Sequence, residues 1–499
     1  MKRLPILIIG VIGVTALVAG GAEQEAAKID HPNIVLILAD DLGWRDTSVY
    51  GSEYYKTPNI DRLASLGMRF TDAYAANPLC SPTRASIMTG LYPARIGITA
   101  PVCHLRQVIL KKSLQPKAPP SQKVLVARSI TRLKREYITL AELLHEAGYI
   151  CAHFGKWHLG HEPYDPLHQG FQIDIPHWPG PGPAGSYLAP WRFGPKQTLD
   201  RGKPGEHIED RLSQEAVKFI RQHKNQPFFL NYWAFSVHGP WIAKPELVKQ
   251  WRKRPRGSHQ RNPVYAAMVQ SLDEAVGRIL TALEEENLLQ KTVIIFFSDN
   301  GGVHWLDQRM RERFGLTTPP TSNWPLRGGK ATIYEGGTRV PFIVVWPGHT
   351  APGSVSHEVV SSVDLFPTIL EIAGVKPPAN QPCDGISIVP ALKGKKLPER
   401  PIFCHFPHGV GIRPGFQPSC YVRLGPWKLI RFFCDGPNFK DRYELYNLAK
   451  DLSESHNLAD RYPEQVKRLS KLLDQFLRDT KAVVPKPNPR YNPSWQRQK

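Results

Sequence analysis

Three stretches of this chain leave little choice of architecture. They are "PNIVLILADDLGW" (32–44), "QPFFLNYWAFSVHGP" (226–240) and "KTVIIFFSDNGG" (291–302). Each is an unbroken apolar run that ends abruptly in polar residues. A strand with water on one face would alternate, so these runs describe strands buried on both faces, as in a parallel sheet covered by helices. Helical patterns alternate with them: "TPNIDRLASLG", "TLAELLHEAG", "EDRLSQEAVKFIRQHK" and "YAAMVQSLDEAVGRILTALEEEN". The expected fold is therefore α/β, a large mixed, mostly parallel sheet sandwiched by helices. Ligands of such sheets bind beyond the carboxyl ends of the strands, where Asp40, Asp41, His238, Asp299 and Asn300 stand.

Near residue 400 the pattern changes. "CYVRLGPWKLIRFF" and "DRYELYNLAKD" read as short antiparallel strands, and "YPEQVKRLSKLLDQFLRDT" as an amphipathic helix. We expect a smaller C-terminal α+β domain without chemistry of its own. The predicted organisation is a signal peptide over 1–22, a catalytic domain over 30–398, the α+β subdomain over 399–482 and a proline-rich tail over 483–499. The leader "MKRLPILIIGVIGVTALVAGGA" combines a positive start, a short apolar stretch and small residues at its end. It predicts export to a periplasmic, extracellular or lumenal space. No later segment is apolar enough to span a bilayer, so no stable membrane insertion is expected after cleavage.

The formal charge of +20 falls to about +18 without Lys2 and Arg3, which suits a polyanionic partner and equally well simple solubility. No helix-turn-helix, zinc-finger or RNA-binding signature accompanies it, so nucleic acid is not expected. A sulfated or otherwise acidic polysaccharide suits an exported protein better. Seven cysteines leave at least one outside any pairing, and no CxxC pair suggests zinc. Cys80, in a proline-flanked turn with Arg84 four residues on, is the candidate for the odd one. Two long loops interrupt the pattern: a basic insertion over 105–136, and "HWPGPGPAGSYLAPWRFGPK", whose Trp178, Tyr187 and Trp191 could stack on sugars or simply pin the loop.

Asp40, Asp41, Asp299 and Asn300 offer only oxygen ligands, which favour calcium or magnesium over zinc or copper. Taken singly, Asp40 and Asp41 read more readily as helix caps and "SDNGG" as a turn; two such pairs at two strand ends favour a shared cation. "GKWHLG" adds Lys156 and His158, which alternation would put on one side of an extended chain. "LRGGKATIYEGG" adds Lys330. With Arg84 and His238 these basic groups suit a tetrahedral oxyanion whose oxygens gain charge in a transition state.

"CSPTRASIMTGLYPARIG", with "ADDLGW", "GKWHLG", "SDNGG", "LRGGK" and "ELYNLAKDLSESHNLA" in order, resembles the type I sulfatases of the alkaline phosphatase superfamily. The likeness is strongest to arylsulfatase A and N-acetylgalactosamine-sulfatase-like enzymes, and it covers Pro32 to the C-terminal helix. It implies that Cys80 is converted to formylglycine (3-oxoalanine) by a formylglycine-generating enzyme reading CxPxR. It assigns one calcium ion to Asp40, Asp41, Asp299 and Asn300, completed by residue 80. Arg84 and Lys156 would hold the aldehyde hydrate, His158 would take its proton, and His238 and Lys330 would bind sulfate oxygens and assist the leaving alcohol. The substrate would be a sulfated carbohydrate or an aryl sulfate. Two other readings stand beside it: a phosphonate or phosphodiester hydrolase of the same superfamily, and a non-catalytic binder of sulfated glycans. The insertion after Cys103 matches nothing in the family pattern.

Overall fold

The long apolar runs lie side by side. In the computed structural model, which describes Met1, residues 31–409 and residues 416–497, eight strands make one sheet. They are β1 (Asn33–Ala39), β2 (Met68–Phe70), β3 (Ile150–Gly155), β4 (Ile173–Ile175), β5 (Phe228–Trp233), β6 (Thr292–Ser298), β7 (Phe342–Val345) and β8 (Ser354–Ser356). Their order is β8-β2-β7-β6-β1-β5-β3-β4. The run from β6 through β1, β5 and β3 to β4 is parallel. At the other side β7 is antiparallel to both β6 and β2, and β8 is parallel to β2. Apart from Met1, the expected signal peptide lies outside the described residues.

Every side chain of β1 is buried, which is why its sequence does not alternate. Val35, Ile37 and Ala39 enter one core with α1 (Pro58–Leu66), α4 (Ile208–Gln222) and α5 (Pro263–Glu285). Ile34, Leu36 and Leu38 enter the opposite core with α2 (Cys80–Thr89), α3 (Leu140–Glu146) and α6 (Leu365–Ile372). Register then aligns the strand ends: Ala39 faces Ser298, Leu38 faces Trp233, and Gly155 faces Trp233. The residues that follow, Asp40, Asp299 and Lys156, are thereby delivered to one edge.

The C-terminal region is a four-stranded antiparallel sheet of β9 (Ile402–Phe406), β10 (Ser419–Leu424), β11 (Trp427–Phe432) and β12 (Arg442–Asn447), with helix α7 (Pro463–Asp479). The sequence reading found three of these strands and the helix, and missed β9, whose "IFCHF" is too short and too mixed to stand out. One face packs Val422, Leu429 and Leu445 on Leu469 and Leu473 of α7. The other packs Tyr421, Ile430 and Phe432 on Ile333 and Tyr334, in the loop that carries Lys330. On this second face Lys428, fully buried, lies 2.9 Å from both Glu335 and Glu454. The sheet is thus tied to the Lys330 loop by charge as well as by packing.

The basic insertion has two-residue ladders only: Ser113–Leu114 pairs with Ala127–Arg128, and Val124–Leu125 with Lys486–Pro487 of the tail. All seven cysteines are unpaired, and all but Cys383 are buried. Tyr187 and Trp191 have no exposed surface. Those two rings pin their loop and are not presented to a sugar.

Candidate active site

Helix α2 starts at Cys80, after an extended Leu79 (φ −141°, ψ 151°), and every one of its residues is buried. Pro82 sits at its third position, where an amide would have no helical partner to lose. The i, i+4 spacing puts Cys80 and Arg84 on one helix face. From there Arg84 Nε donates to Asp299 Oδ2 (2.8 Å) and Nη1 to the Lys156 carbonyl (2.7 Å). Its Nη2 is 2.7 Å from Asp299 Oδ2 and 3.8 Å from Asp40 Oδ1.

The other predicted residues arrive from five more segments. Lys156 Nζ donates to Asp40 Oδ2 (2.6 Å), and Lys330 Nζ to Asp41 Oδ2 (2.7 Å). Asn300 Nδ2 donates to Asp41 Oδ1 (2.7 Å), while the Asp41 amide donates to Asp299 Oδ1 (3.2 Å). His238 Nε2 lies 3.7 Å from Asp41 Oδ2. His158 Nδ1 lies 3.5 Å from Cys80 Sγ. Every residue named from the sequence is therefore within one cluster, although Asp40 and Asp299 are 259 positions apart.

Local backbone explains how some of them reach it. Only glycine is possible at residue 155, where φ is +101° and a Cβ would stand 2.0 Å from the Trp233 carbonyl oxygen. His158 itself takes a left-handed φ of 55°. The expected extended alternation of Lys156 and His158 is thus broken at the left-handed residue 158, and both side chains are still fully buried. Lys330 is held by its amide to the Gly302 carbonyl (3.0 Å) and by the Ala331 amide to Pro78 (2.9 Å). Asp40 and Asp41 cap no helix: the Asp40 amide and carbonyl bond to Ser236 and Val237.

Burial governs the electrostatics. It raises the Asp40 carboxyl well above its ordinary range, against the pull of Lys156. For Asp41 burial acts the same way, but Lys330, His238 and Lys156 together overcome it and hold the group low. Burial raises the Cys80 thiol, which is therefore no thiolate nucleophile. Burial and then Lys156 push His158 well below its usual value; burial and then Lys330 do the same to His238. Both imidazoles are therefore held in the neutral form.

The donor set fits a hard cation. Asp40 Oδ1 and Asn300 Oδ1 are buried acceptors with no hydrogen-bond partner, a costly state that an ion would relieve. Ligand atoms of Asp40, Cys80 and Asp299 all lie within 4.8 Å of one another, as do those of Asp40, Asp41 and His238. The charges of Asp40, Asp41 and Asp299 are matched by Arg84, Lys156 and Lys330, so a divalent ion would leave the cluster positive and ready for an anion.

Two partners were invisible in the sequence. His104 Nδ1 is 2.9 Å from His158 Nε2, on the side away from Cys80. It stands immediately before the basic insertion, with no spacing that marks it. Tyr187 Oη donates to the carbonyls of Phe235 (2.5 Å) and His238 (2.8 Å), clamping the turn that bears His238.

Comparison with known proteins adds relatives to this geometry. Residues 32–375 match the family model described as Sulfatase, and residues 329–482 the one described as N-sulphoglucosamine sulphohydrolase, C-terminal. N-acetylgalactosamine-6-sulfatase of Rattus norvegicus is 33% identical over 521 residues, covering 96% of this chain and 90% of the relative. Arylsulfatase A of Homo sapiens is 33% identical, covering 88% of this chain and 87% of its own. The crystal structure of Ps i-CgsB superposes with a TM-score of 0.71 at 29% identity, over 89% of this chain and 92% of that one.

Proposed function

This chain belongs to the sulfatase family and is a sulfuric ester hydrolase, and from that premise we propose that it cleaves sulfate esters of carbohydrates through a formylglycine made from Cys80. The observation that carries the reading is the seat of Cys80. Its Sγ, which stands in for the aldehyde oxygen, has His158 at 3.5 Å and the ligand atoms of Asp40 and Asp299 within 4.8 Å. The chain would be exported, with residues 1–22 removed. No helix among the described residues is long and apolar enough to cross a membrane.

Asp40, Asp41, Asp299 and Asn300, with residue 80, would hold calcium. When bound, that ion supplies a fixed positive charge that acidifies a neighbouring hydroxyl and attracts sulfate oxygens. The rest falls to the chain's own groups. Water adds to the aldehyde at residue 80 to give a geminal diol, kept in place by Arg84 and Lys156. One diol oxygen attacks sulfur as its proton passes to solvent, the bond from sulfur to the sugar oxygen breaks, and that oxygen leaves as the alcohol with a proton delivered by Lys330, the neutral His238 helping to position the sulfate. The sulfate is now esterified to residue 80. His158 Nδ1 takes the proton of the second hydroxyl, the C=O bond re-forms, and the C–O bond to sulfate breaks. A serine would stop at a stable sulfate ester, whereas the diol carries its own exit. Fixed cations around the sulfate oxygens lower the barrier where charge grows.

The substrate class draws on the relatives: one is named for N-acetylgalactosamine-6-sulfate, and Ps i-CgsB has been solved in complex with k-i-k-neocarrahexaose. Mass spectrometry of the tryptic peptide "FTDAYAANPLCSPTR" (70–84) from natively matured protein tests the modification. Loss of the thiol, a mass matching formylglycine and resistance to alkylation are expected; an intact thiol in protein that releases sulfate would overturn the mechanism. Paired aryl sulfate and aryl phosphate esters check the leaving anion, with sulfate release dominant.

A further inference from the structure

His238 belongs to the cluster around Asp41, yet its other side forms part of the wall of a neighbouring cavity of about 430 Å³. The rest of that wall is unusual in composition. Trp241 and Trp305 supply broad aromatic surface, and Arg309 and Arg313 supply charge. The two arginines are one turn apart on the short helix Gln308–Phe314, which is capped by Asp307. Like charges at i, i+4 repel unless something anionic lies between them. Among the described residues no carboxylate pairs with either guanidinium; Arg313 lies 5.5 Å over the Phe314 ring. The one acid on the wall, Asp307, turns its Oδ1 to the Met310 amide at 2.9 Å.

This wall is ordered by its own packing. Val303, Met310 and Leu316 form a small core beneath it, with Trp241 and Phe314 packed alongside. The segment runs from the Asn300 loop to the Lys330 loop, so both of its ends are anchored in the cluster already described. An electron-rich aromatic face suits the apolar C–H face of a sugar ring, and planar guanidinium groups suit bidentate pairing with a sulfate or a carboxylate. A purely apolar aglycone would make no use of the arginines.

We infer that the cavity walled by His238, Trp241, Trp305, Arg309 and Arg313 is a subsite for a second anionic sugar, adjacent in the polymer to the one whose sulfate is cleaved at residue 80. The inference rests on the sulfatase reading above and assigns that site a preference: chains in which the neighbouring sugar bears a sulfate or a carboxylate.

The test is the double variant Arg309→Gln/Arg313→Gln. Neither residue touches the cluster around Cys80. Four probes are compared: an aryl sulfate, a monosulfated neutral disaccharide, a disulfated disaccharide, and a monosulfated disaccharide with a uronate neighbour. kcat/KM should fall about tenfold to a hundredfold, chiefly through KM, on the last two, the range expected for lost hydrogen bonds to a charged group. On the first two it should stay within about twofold. A loss confined to one of the two anionic disaccharides identifies which anion is read and supports the inference. An equal loss on all four probes, or none on either anionic disaccharide, overturns it. Calorimetric binding of the disulfated disaccharide, measured on the wild type and the double variant, separates this inference from the sulfatase reading. Binding that weakens in the variant supports the subsite even if no ester turns over, and unchanged binding refutes it.

Discussion

Replacing Lys428 by methionine keeps the apolar stem and removes only the charge that joins the C-terminal sheet to the Lys330 loop. The consequences can be worked from its partners. Glu335 would keep Arg339 at 3.3 Å and the Tyr74 hydroxyl at 2.6 Å. Glu454 would keep only the Glu335 amide, at 2.7 Å, and would face the interior with no cation. Stripping one partner from a buried pair costs about 3–5 kcal/mol. The lower end is expected near pH 6, because burial already pushes the Glu454 carboxyl up to about 7 and it can take a proton there. Its folded-state value lies above the unfolded one, so the stability tied to its protonated form is complete at low pH and lost as pH rises through the folded value. Without Lys428 that value climbs further. The variant's deficit should therefore widen above pH 7, by at most about 1.4 kcal/mol per pH unit. Urea denaturation followed by tryptophan fluorescence at pH 6 and pH 8 reads this directly. A midpoint equal to wild type at both pH values, or a deficit that shrinks toward pH 8, would refute the argument. Turnover of an aryl sulfate should fall in parallel, since the same contacts hold the loop bearing Lys330.

Lys330→Ala should fold normally and lose about a hundredfold to a thousandfold in aryl sulfate turnover, roughly 3 kcal/mol; activity within a few-fold of wild type would remove Lys330 from the site. Cys80→Ala should abolish turnover altogether, and any sulfate release above background by that variant counts against the diol mechanism. His104→Ala frees the imidazole of His158 and should slow turnover at least about tenfold, as loss of an orienting partner commonly does. His104→Asn, which keeps a polar atom near the place of Nδ1, should recover part of it, and equal rates for all three proteins would show that His104 has no share in the reaction. Dialysis against a chelator should lower both activity and the thermal midpoint, with calcium restoring both; saturation at a hundred times Kd is worth about 2.7 kcal/mol. A midpoint indifferent to calcium would argue against the ion.

Much of this molecule could be read from the chain because the informative signals are local. An apolar run without alternation is a strand buried on two faces wherever it lies. The polar residues after β1, β5 and β6 therefore had to gather at one edge once those strands became neighbours. The cluster around Cys80 was legible for the same reason: each of its groups follows a strand end or sits in a short glycine- or proline-marked motif. Where the sequence was ambiguous, burial decided. Tyr187 and Trp191 look like sugar-stacking rings in a glycine-rich loop, but the fold covers both, and Tyr187 instead clamps the carbonyl of His238.

What tertiary structure alone decided is the set of contacts that depend on long-range placement. His104 meets His158 across 54 positions, and Lys428 meets Glu335 across 93. Neither pair shows a period, a spacing or a charge pattern in the chain. The arginine-lined cavity is of the same kind, since its walls come from segments either side of 240 and of 310. A side chain's identity and its place on a strand or helix follow from nearby residues. Which distant partner removes it from water follows only from how the layers pack, and that is where a buried lysine gains its acids and an imidazole its neighbour.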